Sequence, residues 1–299
     1  MQSSNNKIDL SSFGMKLWQF LLFRIGIGSC LVVLTLIPFK SYAQKLENHY
    51  QTAITKYKNR DYVGAITDFS EVIESNPQDP NAYYNRGLVK AKIGDLIGAI
   101  SDYNRSIELN PHGVKALMSR GKLKSKSHNI SGAINDYTKA IQLNPKNIEA
   151  YQMRANLNAR RMDLSAAIID YTYVLDINPK NVDAYRMRAN LKSKRMDFSG
   201  GINDYNKAIE MNTKNINDFY NRGNLKIKLR DFSGALEDFN KVIEMNPKHL
   251  NAYRNRAIAK WNLGDERGSC DDRKKLIFLG DKKTKKWINT LRGAWCREI

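Results

Sequence analysis

The chain has 299 residues, 42% of them apolar, and its 49 lysines and arginines against 30 acidic residues give a formal charge of +19. That excess favours acidic polypeptides, anionic membrane surfaces or nucleic acid as partners. The four histidines (His49, His112, His128, His249) share no metal-ligand spacing, and no phosphate-binding glycine loop or nucleophile elbow is present, so we expect no enzyme, no cofactor, no metal and no small-molecule substrate.

Residues 1–43 read as a leader and secretory signal. Lys16 and Arg24 form a basic flank, Ile25 to Ile37 is an apolar run, and Pro38 ends it. Ser41-Tyr42-Ala43 then offers small residues for cleavage before Gln44, which predicts export to a periplasm, a lumen or the extracellular space. Met15 is an alternative start. Two other readings stay open. Leu17–Phe39 could remain as a single-pass anchor, although Arg24 interrupts it at a cost of about 2.5–3.5 kcal/mol if central. A lipoprotein signal could instead end at Ser29-Cys30. Removing residues 1–43 leaves 45 basic and 29 acidic residues, a net +16. On an exported chain, acidic polypeptides, lipid headgroups or anionic polysaccharide replace nucleic acid as partners; a nucleic-acid-binding α-solenoid requires an unused signal.

Beyond the leader, one phrase recurs six times. Its copies are Asp61…Asp68-Phe69…Asn76-Pro77, Asp95…Asp102-Tyr103…Asn110-Pro111 and Asn129…Asp136-Tyr137…Asn144-Pro145. Asp163…Asp170-Tyr171…Asn178-Pro179, Asp197…Asp204-Tyr205…Asn212-Thr213 and Asp231…Asp238-Phe239…Asn246-Pro247 complete the set. A fixed period of this size signals stacked supersecondary units that bury their apolar faces against one another. The units fall near 46–79, 80–113, 114–147, 148–181, 182–215 and 216–249, with a degenerate seventh at 250–283, so that 44–283 is the array and 284–299 a C-terminal cap.

Within 80–113, Pro80 and Asn81 supply a helix start, and small or apolar residues follow at Tyr83, Gly87, Val89 and Ala91. Gly94-Asp95 offers a turn; a second stripe runs through Ile97, Ala99, Ile100, Tyr103, Ile107 and Leu109, and Asn110-Pro111 closes it. Each unit is therefore a helix–turn–helix hairpin. Small rows (Ala53, Gly87, Gly121, Ala155, Ala189, Gly223, Ala257, and Ala65, Ala99, Ala133, Ala167, Gly201, Ala235) let helices approach closely. Large rows such as Tyr83, Tyr151, Tyr185, Phe219, Tyr253 and Phe69, Tyr103, Tyr137, Tyr171, Tyr205, Phe239 fill the space beside them. No strand-like alternation appears, so the class is all-α.

A polar row lies inside each apolar stripe: Arg86, Arg120, Arg154, Arg188, Arg222, Arg256 on one and Asp68, Asp102, Asp136, Asp170, Asp204, Asp238 on the other. Equal numbers of opposite charge at one period predict bidentate pairing near the helix interfaces. At the C-terminus, Cys270 and Cys296 form an even pair once Cys30 leaves with the signal; a disulfide or two unpaired thiols are both compatible with the sequence. Asp271-Asp272 reads as helix surface or a pairing partner. The run Lys282-Lys283-Thr284-Lys285-Lys286-Trp287 reads as a solvated capping helix with Trp287 and Trp295 inward, or as a contact for anionic lipid.

The residues Tyr83-x-x-Arg86-Gly87, Ala99-x-x-x-Tyr103 and Pro111, repeated along about 46–283, resemble the tetratricopeptide-repeat family pattern Trp-x-x-Leu-Gly…Ala-x-x-x-Phe…Pro. The chain departs from it at Arg86, Thr213 and Gly201, and in the first and seventh units, where His49, Ser269 and Arg273 hold core positions. The resemblance implies a right-handed α-solenoid of about seven hairpins with a C-terminal capping helix. It also implies a non-catalytic scaffold whose first helices line a concave groove for a polypeptide partner.

Carried over residue by residue, that groove takes Tyr84, Arg186, Tyr220 and Arg254 from one row and Lys122, Asn156, Asn190 and Asn224 from the next. A third row gives Lys92, Lys126, Arg160, Lys194 and Lys228. Basic and amide side chains together suit carboxylates and peptide backbone, so a protein or peptide with acidic segments is the expected partner. The basic row also complements helix C-termini, where cations oppose the macrodipole. Family members that hold acidic chaperone tails use lysine, asparagine and arginine on these helices. Arg186, Asn190 and Asn221 match in part, whereas Asn251 and Asn255 stand where a basic pair is expected. The reading is thus a looser groove for an acidic segment.

Overall fold

A computed structural model describes residues 47–290 and 293–298, and the leader, signal and anchor readings lie outside them. Among the described residues there is no strand, and no helix is long and apolar enough to cross a membrane. The chain divides into two units at Ala82–Tyr83, inside the helix Pro80–Ile93.

In the first unit, residues 47–58 and Tyr62–Ser75 form a helical hairpin. Asp61 caps the second helix by accepting from Gly64 N at 2.9 Å, and Phe69 meets Tyr50 edge-on at 5.6 Å. The acceptor at the start of Pro80–Ile93 is Asp79 rather than Asn81: Asp79 Oδ1 takes the Asn81 N–H at 2.8 Å. Burial pushes the Asp79 carboxyl above its usual range.

The second unit begins within Pro80–Ile93, which is followed by Leu96–Leu109, by Val114–Lys126 with Ile130–Leu143 and by Ile148–Arg160 with Leu164–Ile177. Val182–Lys194 with Phe198–Met211, Ile216–Lys228 with Phe232–Met245 and Leu250–Asn262 with Glu266–Phe278 continue the array. Each helix from Leu96 onward packs chiefly on its chain neighbours, as a solenoid requires. Punctuation is repetitive. The second helices start at Asp95, Asn129, Asp163, Asp197, Asp231 or Asp265, whose side chains accept from the amide three residues on. Loss of one such cap costs about 1 kcal/mol.

The nesting of small and large rows is borne out. Ala99, Ala133, Ala155, Ala167, Ala189 and Ala235 are fully buried, as are the rings of Tyr103, Tyr137, Tyr205 and Phe239. Where the small residue is glycine, the ring lies directly over it: a Cβ on Gly121 would meet the Tyr137 ring at 3.0 Å, and one on Gly223 the Phe239 ring at 2.9 Å. One expected core position fails. Ile97 is 86% exposed because it sits on the outer first turn of its helix, while Ala99 and Tyr103 face inward.

After Phe278 a short helix, Lys282–Ile288, and a final turn, Trp295–Glu298, close the chain. Trp287 keeps the register of Tyr253 one period earlier, so this helix starts an eighth unit that stops within two turns. Asp281 caps it through Thr284 Oγ1 at 2.5 Å, a contact that holds the Asp281 carboxyl below its usual range, helped by Arg254. Cys270 and Cys296 are joined as a disulfide with Cα atoms 5.3 Å apart. Trp295 packs on Trp261 at 4.7 Å and on Trp287 at 6.3 Å, so the tryptophans do turn inward.

Candidate partner-binding face

The first helices are locked to their neighbours by a ladder of ions. Arg120, Arg154, Arg188 and Arg222 each grip an aspartate sixteen residues on through Nε and Nη2, at 2.5–3.0 Å. Arg86 does the same with Asp102, and Arg256 with Asp272. The predicted pairing therefore holds within each repeat, with one correction to the rows. Asp272 takes the last arginine, and Asp68, whose repeat carries Thr52 at the arginine position, pairs with Lys56 at 2.9 Å. The remaining nitrogen, Nη1, donates backwards to the preceding repeat: Arg120 to Asn104, Arg154 to Thr138, Arg188 to Thr172, Arg222 to Asn206 and Arg256 to Asn240. Five of these guanidinium groups also lie over an aromatic face three residues earlier, as Arg154 does over Tyr151 at 5.8 Å; Arg120 has Leu117 there instead. Hydrogen bonding to the aspartate raises the Arg86 and Arg154 guanidinium pKa values.

A lysine joins most rungs. Lys90, Lys124, Lys192, Lys226 and Lys260 each place Nζ 2.9–3.2 Å from the same aspartate. The rung at Asp170 lacks it, because Asn158 stands in that register. These lysines escaped the sequence reading, although their common period twelve residues before each aspartate was visible.

The first helices of repeats five, six and seven touch one another. Arg186 reaches the next repeat, with Nε 2.9 Å from both Asp218 oxygens and Nη2 2.8 Å from Oδ2, and Asn255 Nδ2 reaches back to Asn224 Oδ1 at 2.6 Å. Those contacts change the standing of several predicted ligands. Arg186 is neutralised by the buried Asp218 and by Asp183 at 2.8 Å, and the Asp218 hydrogen bond raises its pKa. Asn156 accepts the Tyr171 hydroxyl at 2.7 Å, and Asn190 the Tyr205 hydroxyl at 2.6 Å. Asparagine in these helices thus serves a buried phenol. In repeat six, where Phe239 has no hydroxyl, Asn224 turns to Asn255. Burial pushes the Tyr171 and Tyr205 hydroxyls up to about 12, as it does that of Tyr137. Tyr84 packs on Tyr103 at 5.9 Å, and Tyr220 lies 5.0 Å from His249. Arg254 bonds Asn251 at 2.6 Å and Asp281 at 3.1 Å.

The third row remains open. Lys92, Lys126, Arg160, Lys194 and Lys228 are exposed, as is Lys122, and none of them is ion-paired among the described residues. They stand in the last turn of the first helices of repeats two to six at one period, and Asn262 holds the position in repeat seven. Among the described residues no group of three or more histidines, cysteines and acids is placed to hold a metal.

Models of the tetratricopeptide repeat match residues 56–94, 80–112 and 217–249. No curated protein matches by sequence. The fold is similar to the C-terminal part of a TPR repeat-containing protein from Cytophaga hutchinsonii (TM-score 0.69, 16% identity, 81% of this chain and 100% of that one). It is also similar to YrrB, described as a TPR protein with an unusual peptide-binding site (TM-score 0.55, 19% identity, 62% and 95%). MamA is a third match (TM-score 0.53, 20% identity, 60% and 97%). At these identities the likeness is one of fold.

Proposed function

The chain is a tetratricopeptide-repeat protein, and from that premise we propose a non-catalytic interaction scaffold that binds an acidic polypeptide segment along its first helices. One observation carries this reading: the ladder consumes its own arginines and lysines internally, while Lys92, Lys126, Arg160, Lys194 and Lys228 stay exposed and unpaired at a constant period. A strand of carboxylates laid across successive repeats meets one cation per repeat. The peptide binding described for YrrB fits such a use of the fold.

The test is a titration of the full chain with a fluorescent polyglutamate peptide, beside a variant carrying Lys126→Gln, Arg160→Gln, Lys194→Gln and Lys228→Gln. These exposed residues hold nothing together, so the variant keeps its helicity and loses at least tenfold in affinity, and salt weakens the parent. Undiminished binding overturns the reading. Tighter binding of single-stranded RNA than of polyglutamate transfers the row to nucleic acid.

We also propose that the protein works outside the reducing cytosol. The Cys270–Cys296 disulfide supports this, because such bonds persist in oxidising compartments. Terminal sequencing of the protein from its host, beginning at Gln44, bears it out; an intact leader in the membrane fraction favours the tethered form.

A further inference from the structure

The seventh repeat breaks the core pattern in one place. Phe69, Tyr103, Tyr137, Tyr171, Tyr205 and Phe239 fill the same buried position in the other six hairpins, and Arg273 occupies it here. The adjacent small row is altered in step: Ser269 replaces the alanine or glycine and donates its hydroxyl to Ala257 O at 2.7 Å. Arg273 Nη1 lies against the Ser269 carbonyl and hydroxyl oxygens. The aromatic surface that the repeat lost is returned from outside it. Trp287 and Trp295 face the guanidinium at 4.8 and 5.6 Å, on a segment that the disulfide ties to Cys270.

A cavity of about 250 Å³ opens between the first helix of repeat seven and the short capping helix, lined by Arg254, Ile258, Arg273, Leu276, Lys283 and Trp287 among others. Among the described residues, none that lines it is acidic. Arg254 is answered by Asp281, but among the described residues no carboxylate pairs with Arg273 or Lys283. Burial lowers the Arg273 pKa, and the charge of the neighbouring Asp272, which is itself engaged by Arg256, offsets this only in part. Half-buried cations are ordinarily paired, and every other half-buried arginine of the core rows here has its aspartate.

We propose that this cavity is a binding site for a carboxylate carried next to an aliphatic side chain, supplied by a polypeptide. Arg273 and Lys283 face the carboxylate, and Ile258, Leu276 and Trp287 take the aliphatic group. Two sources share that chemistry: the free C-terminus of a chain ending in a residue such as leucine, and an acidic side chain within a longer segment. This deepens the reading of the protein as a polypeptide-binding scaffold and rests on it, yet none of the residues of the open cationic row lines the cavity.

The experiment follows tryptophan fluorescence of the full chain, since Trp287 lines the cavity and Trp295 packs behind it. Three probes are compared: acetyl-Gly-Ser-Gly-Leu with a free carboxylate, its C-terminal amide, and the amide of acetyl-Gly-Ser-Glu-Leu. Saturable binding of either carboxylate probe at least tenfold tighter than of the plain amide is expected, and which one binds identifies the source. Arg273→Gln abolishes the difference. Because Arg273 also braces the two tryptophans, Lys283→Ala is the second variant; its side chain is exposed, and it weakens the acid severalfold with no change in helicity. Equal binding of acid and amide, no saturable signal, or affinity unchanged in Lys283→Ala overturns the proposal. The Lys126, Arg160, Lys194 and Lys228 variant separates the two readings. If it still binds the short acid, the end site stands by itself; if polyglutamate binds the row while no short acid binds the cavity, only the end site falls.

Discussion

Arg154 holds the buried carboxylate of Asp170 with Nε at 3.0 Å and Nη2 at 2.7 Å, and among the described residues no lysine shares that carboxylate. At Asp136 and Asp204 the corresponding arginines have Lys124 and Lys192 beside them. Removing one partner of a buried pair costs about 3–5 kcal/mol, mostly as the penalty on the charge left behind. Arg154→Ala should therefore approach that loss, and Arg120→Ala or Arg188→Ala should cost visibly less because a cation remains. Urea unfolding followed by circular dichroism ranks the three; equal losses would show that the lysines contribute nothing.

Gly223 separates steric from conformational effects. Alanine there gains about 1 kcal/mol of helix propensity, but its Cβ would lie 2.9 Å from the Phe239 ring, which is fully buried and has nowhere to go. Overpacking of this kind costs about 1–3 kcal/mol, so Gly223→Ala is expected to destabilise on balance. Phe239→Leu should relieve it, and a double-mutant cycle that proves additive would refute the contact.

Met162 and Met196 occupy the turn between helices with φ of 63° and 64°, where Gly94 and Gly264 serve in other repeats. Left-handed backbone costs a residue with a Cβ about 1–2 kcal/mol, and at 71% and 79% exposure neither methionine recovers this by packing. Met162→Gly and Met196→Gly should each raise stability, by up to about 1 kcal/mol once the greater freedom of glycine in the unfolded chain is subtracted. A lowered melting temperature in both would mean that these side chains make contacts that matter.

Alkali should unfold the array in a defined window. Tyr137, Tyr171 and Tyr205 are held protonated up to about 12, whereas an unfolded tyrosine releases its proton near 10. The folded state then binds more protons than the unfolded state between these values, so stability is complete below about pH 10 and falls as pH rises towards 12. Urea midpoints measured across that range should drop, and Tyr171→Phe with Tyr205→Phe should flatten the decline. A slope untouched by those changes would place its origin in other groups.

How far the fold could be read in advance depended on whether a residue obeyed the period. The alanine and aromatic rows, the hairpins and the arginine–aspartate pairing are repeated chemistry, so six weak signals reinforced one another. What a residue touches across its own hairpin was harder. Asn156 looked like a ligand because its amide falls in the row that the family resemblance places along the groove; its reason is the Tyr171 hydroxyl fifteen residues away. Arg186 likewise looked available until Asp218, one repeat on, was seen to face it. The seventh repeat was least legible, because Arg273 gains aromatic neighbours from Trp287, whose periodic place lies in a unit that stops after one short helix, and from Trp295, which no period connects to it.

The truncated eighth unit has a consequence for growth. An array of like hairpins ends in a surface shaped to receive one more, whether added by duplication or offered by a second copy docking head to tail. Here Lys282–Ile288 begins that next hairpin and abandons it, and the Cys270–Cys296 bond fastens the remnant in place. A further hairpin docking at this end of the last repeat would therefore have to displace a segment that is fastened covalently.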